Sequence, residues 1–170
     1  MPRTMVLHRV REHRLAIQRL AKWMMLAFSL HLAWEIAQLP LYTLATDGDR
    51  MRIARYVLHC TLGDVLIATA TFLLPALVWR RLDWYRVQPL AGSAVMIVLA
   101  LTYTAGSEWF NVYRRAAWAY TSSMPTVGGI GVAPLLQWIL VPGLMVIVMR
   151  RGNAAGDRGD DAARPLRLSR

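Results

Sequence analysis

Apolar residues run along this chain in four long blocks separated by short basic stretches. The blocks 23–44, 56–79, 90–113 and 129–149 contain no Lys or Arg, and each approaches the roughly 20 residues that a helix needs to cross ~30 Å of hydrocarbon. A bilayer core offers the backbone no water to bond, so all four blocks are predicted to be helices. The pattern predicts an all-α fold, a four-helix polytopic transmembrane bundle spanning residues 23–149.

Polar residues inside the blocks are few and ordered. In "HLAWEIAQLPLY", residues 31–42, a helical repeat puts His31, Glu35, Gln38 and Tyr42 within an arc of about 60°. Thr104, Glu108 and Asn111 repeat the spacing of His31, Glu35 and Gln38 on the third block, while Cys60, Asp64 and Thr71 share a face of the second. His59 points about 140° away from Asp64 on a regular helix. An echo at an offset of 73 residues pairs Glu35 with Glu108, Gln38 with Asn111 and Asp64 with Gln137. Two helix pairs of the same orientation would make a parallel repeat of the kind some transporters carry.

Composition agrees with a membrane protein: 56% of the residues are hydrophobic and 18% charged, against about 45–50% and about 25% in soluble domains. The net charge of +10 sits in the flanks of apolar blocks rather than in a patch interleaved with aromatics, which argues against a nucleic-acid partner. Fifteen Lys and Arg fall on the side of the termini and five on the other. The positive-inside rule then puts both termini in the cytoplasm, in a bacterial inner membrane. Trp23, Trp79, Trp84 and Trp118 lie near block ends, where aromatic belts form.

Residues 1–22 form a basic leader that suits a helix on the anionic cytoplasmic leaflet. "LYTLAT" offers small residues after an apolar run, as a signal peptide would. A leader this long, with Glu35 and Gln38 in the apolar run, opposes that reading. Residues 150–170 mix charge, Gly and Ala without periodicity and are predicted to be disordered. Cys60 is the single cysteine, so no internal disulfide forms.

Of ten acidic residues, Glu35, Asp64 and Glu108 lie inside blocks that contain no Lys or Arg. A buried carboxylate without a partner must protonate, pair or bind a cation. At ~1.5 Å per residue, Glu35 lies ~14 Å, Asp64 ~12 Å, Gln38 ~9 Å and Glu108 ~8 Å below the outer ends of their blocks. Helices running in opposite directions thus bring these residues to similar depths, in one polar site opening outward.

That site comprises Glu35, Gln38, Asp64, Glu108 and Asn111, with His31 beneath it. A divalent metal held by His31, Glu35, Asp64 and Glu108 is one candidate cofactor, with His59 a weaker ligand. Haem is disfavoured, because His31 and His59 differ in depth by ~15 Å. In the third loop, Trp118, Tyr120 and Met124 are candidates for a lid, with Arg114 and Arg115 at the rim to pair Glu108. Pro40, Pro75 and Pro142 read as kinks or helix stops, and Gly92 and Gly106 as close helix packing.

There is no HExxH, CxxC, P-loop or GxSxG motif to name a reaction. Three functions fit: a cation or metal site that supports membrane-embedded chemistry, an accessory or assembly subunit of a larger membrane complex, or a small proton-coupled carrier. The partners implied are the lipid bilayer and either a second copy or a larger membrane complex.

Overall fold

A computed structural model describes the backbone of residues 3–46 and 49–162, with side chains over 9–46 and 49–151. Helix α1 (Arg3–Gln38) carries the leader without a break into the first apolar block. It stops at Gln38, and the chain leaves in 3-10 turns over Leu39–Leu41 and Thr43–Thr46. This corrects the expectation of a helix through residue 44. Pro40 has no N–H to continue the ladder and restricts the residue before it.

Helix α2 (Arg50–Val78) starts earlier than the apolar block, because the Asp49 carboxylate caps it by accepting from the Met51 and Arg52 amides. A single-turn helix α3 (Trp84–Val87), helix α4 (Pro89–Trp109) and a π-turn over Phe110–Arg114 follow. Strands β1 (Thr126–Val127) and β2 (Ile130–Gly131) form a small hairpin. Gly128 and Gly129 close it at φ +58° and +81°, the left-handed conformations a two-residue hairpin turn requires. Helix α5 (Val132–Ala162) completes the fold. Residues 163–170, the end of the tail expected to be disordered, lie outside the described residues.

Four helices are long and apolar enough to cross a membrane, over Arg9–Leu41, Arg50–Val78, Pro89–Arg114 and Val132–Arg151. They pack in the cyclic order α1, α2, α4, α5, so that α1 faces α4 and α2 faces α5 across the bundle. The largest buried apolar side chains gather toward the α3 end. Trp23 stacks on Phe72 with centroids 4.3 Å apart, and Trp84 donates its indole N–H to the Phe72 carbonyl at 3.1 Å. The Trp84 ring lies so close over Gly92 that no other residue fits there without displacing it. Nothing approaches Gly106, so only the first of these two glycines serves packing.

At this end Arg81 grips Asp83 through two hydrogen bonds of 2.7 and 3.1 Å. That bond holds the Asp83 carboxyl below its usual pKa. The opposite end carries the hairpin, where a strap crosses the exit of α1. Thr43 donates its amide to the Ala119 carbonyl and Thr121 donates to Leu41, both at 2.9 Å, around a Tyr42–Tyr120 bridge.

The 73-residue echo continues in the packing. Trp23 and Met96, Ala27 and Ala100, and His31 and Thr104 are buried at equivalent positions of α1 and α4. Val65 and Trp138, Ala68 and Val141, and Phe72 and Met145 match in the same way on α2 and α5. Rotating the ring of helices by half a turn maps each helix onto its counterpart. Burial coincides at these six pairs although residue types differ, whereas buried Thr71 has the exposed Leu144 as its counterpart.

Candidate functional site

The polar stripes meet at the hairpin end because the bulky side chains fill the other end. Between the four helices lies a cavity of about 590 Å³, lined by Glu35, Gln38, Asp64, Glu108 and Asn111 together with His59, Cys60, Arg115 and Trp118. Tyr42, Tyr56, Tyr103 and Trp138 add aromatic walls. A volume of this size suits a small molecule.

Two hydrogen-bond networks hold the acids. In the first, Trp34 donates its indole N–H to Gln38 Oε1 at 3.1 Å, and the Gln38 amide donates to Glu35 Oε1 at 2.7 Å. The Glu35 carboxyl lines the same cavity as Gln137 and Asp64. Gln137, only 2% exposed, is the node: its amide nitrogen is 2.8 Å from His31 Nδ1 and 2.8 Å from Asp64 Oδ2. His31 and Asp64 are 3.5 Å apart. With Gln137 donating, His31 Nδ1 accepts and its proton lies on Nε2, which is buried against Trp138 without a partner.

In the second network Tyr120 donates its hydroxyl to Glu108 Oε2 at 2.6 Å and Tyr42 reaches the same oxygen at 3.5 Å. Burial, and then the Glu108 carboxylate, raises the pKa of the Tyr42 phenol. Burial and the hydrogen bond to Glu108 raise that of Tyr120. Both phenols therefore keep their protons and serve as donors. The Trp118 indole N–H is buried near Glu108 without closing a hydrogen bond.

The placement of the expected residues is selective. His31 is fully buried and lies beneath the cavity rather than on its wall. His59 is exposed and lines the edge. Asn111 lines the cavity but donates to Ser107 of its own helix. Trp118 roofs the cavity and Tyr120 holds Glu108, whereas Met124 packs beneath the hairpin against Gly131 and is no part of a lid over the acids. Arg115 reaches the cavity; Arg114 sits over the Trp109 ring at 5.7 Å and does not.

Among the described residues, no three His, Cys, Asp or Glu side chains converge as a metal-binding group. Gln137 bonds both His31 and Asp64, which themselves lie 3.5 Å apart, while Glu108 is tied to Tyr120. Glu35 and Glu108 share the cavity, and no hydrogen bond joins them. Arg55 and Arg115 both line it, yet neither forms an ion pair with Glu35, Asp64 or Glu108. Gln137 is the residue missing from the expected site, although the echo pointed to it as the counterpart of Asp64. Comparison of the chain with protein families, curated proteins and solved structures finds no match.

Proposed function

We propose that this chain is a multi-pass protein of the bacterial inner membrane, with both termini cytoplasmic, whose acidic cavity binds a cationic ligand in the outer half of the bilayer. The observation that carries the proposal is the convergence of Glu35, Asp64 and Glu108, from three helices, on one cavity where no Lys or Arg among the described residues is paired with them. Several carboxyls in a low-dielectric site cannot all ionise together. An incoming cation offsets the negative charge that these carboxyls would otherwise crowd into one cavity. The aromatic walls add attraction for a cation over a ring face. The distribution of fifteen basic residues against five supports the orientation.

Calorimetric titration of the purified chain with methylammonium tests this reading. Saturable binding is expected, weakened by roughly tenfold or more, ~1.4 kcal/mol, in both Glu35→Gln and Glu108→Gln, with the yield of folded protein unchanged. If the Gln variants match wild type while Glu35→Leu lowers folded yield, the carboxyls are interhelical glue. The chain is then an accessory subunit.

The parallel repeat favours a second reading, a small proton-coupled carrier. Transporter sites lie at the interface between repeats, which is where this cavity lies. Exchange of a bound proton for a cation is the step such coupling needs. Methylammonium flux into proteoliposomes driven by an imposed pH gradient distinguishes a carrier from a site that only binds.

A further inference from the structure

The cavity reaches the loop end of the bundle, where exposed Arg55 and Arg115 line it, and it is open at the side as well. The strap crosses that end, with two 2.9 Å backbone bonds between residues 41–43 and 119–121. On α1 and α5 most of the wall is buried, at Gln38, Pro134, Gln137 and Trp138, with Glu35 half-buried. On α2 and α4 it is not. His59 is exposed and Tyr103 is 58% exposed, and both line the cavity. Gly63 lies between them on the wall, and a side-chain carbon added to it meets nothing within 4 Å. At ~1.5 Å per residue, Tyr103 lies ~15 Å below the Tyr113 end of its apolar block and Gly63 ~10 Å below the Tyr56 end of its own. An opening that deep in a membrane-spanning bundle faces acyl chains, not water.

We infer that the ligand is an amphiphilic amine already dissolved in the bilayer, which enters sideways between α2 and α4 with its ammonium group among the carboxyls and its alkyl chain in the gap. This deepens the cation-site reading and rests on it. The ammonium donates to the carboxyls that line the cavity, and its charge offsets theirs. The alkyl chain gains little by leaving lipid for the gap, because both are apolar. Its contribution is partition into the bilayer, which concentrates the amine at the level of the opening.

The test uses the full chain in phosphatidylcholine nanodiscs, with chain-free discs subtracted. Radiolabelled dodecylamine, methylamine and dodecanol are the probes. Dodecylamine is expected to saturate at an aqueous concentration at least roughly tenfold below methylamine, since every buried methylene contributes ~0.8 kcal/mol to partition. Dodecanol, with the chain but no charge, is expected not to saturate.

Gly63→Phe, which fills open space, is expected to weaken dodecylamine by at least about tenfold and methylamine by less than about twofold. Tyr103→Trp narrows the same gap from α4 and serves should the first variant fold poorly. Equal affinity for the two amines, or Gly63→Phe binding dodecylamine like wild type, overturns the lateral route while leaving the cation site standing. If neither amine binds in a way that depends on Glu35, the cation site itself falls, and this inference with it.

Discussion

Gln137 has two amide hydrogens and two buried acceptors to satisfy, His31 Nδ1 and Asp64 Oδ2. Replacing it with Leu keeps the approximate volume and strips both partners of their bond. A buried polar group left unpaired costs about 1–3 kcal/mol, so Gln137→Leu is expected to lower stability by that order in chemical or thermal unfolding. Gln137→Glu keeps the shape but sets a third carboxyl beside Asp64 and Glu35, and is expected to destabilise most at high pH, where all three are driven toward ionisation. Equal stability of wild type and Gln137→Leu across pH would show that the node holds nothing. The sequence made the three acids legible because charge inside an apolar block stands out. It did not single out Gln137, since an uncharged amide in a block does not break the hydropathy pattern, and only the 73-residue echo marked it.

At the scale of elements, hydropathy located all four long helices but not where the first one ends. Pro40 decides that end, and the turns after it free Tyr42 from the α1 stripe to bridge Tyr120. The hairpin and strap were illegible for a different reason: they depend on two glycines at positive φ and on contacts with a segment more than 70 residues away. Close packing by small residues was legible only as a class. Of Gly92 and Gly106, one receives the Trp84 ring and the other touches nothing, a distinction fixed by where α3 folds back. Gly92→Ala drives its new carbon into the Trp84 ring at Cε3, so the ring, its bond to Phe72 and the end of α2 must all shift. Overpacking of this kind costs about 1–3 kcal/mol. A loss of stability of that order is expected for Gly92→Ala, and none for Gly106→Ala; equal effects in a melting experiment would contradict the packing described.

The whole molecule divides its labour along the bundle. One end is an aromatic and methionine core that fixes the helices, and the other leaves a cavity whose carboxyls pair with no Lys or Arg among the described residues. The two halves of the chain contribute to each end in the same register, which places the cavity where the repeats meet. Cys60, the single cysteine, lines that cavity and so reports on its field. The most direct measurement is the rate at which Cys60 reacts with two methanethiosulfonate reagents of similar size, one carrying a trimethylammonium group and the other a sulfonate, each normalised to its rate with a free thiol. A cavity that attracts cations is expected to favour the ammonium reagent by about tenfold or more, equivalent to ~1.4 kcal/mol, and Glu35→Gln with Glu108→Gln is expected to erase that preference. Equal normalised rates in the wild-type chain, or a preference untouched by the two Gln substitutions, would contradict the claim that these carboxyls form a cation site.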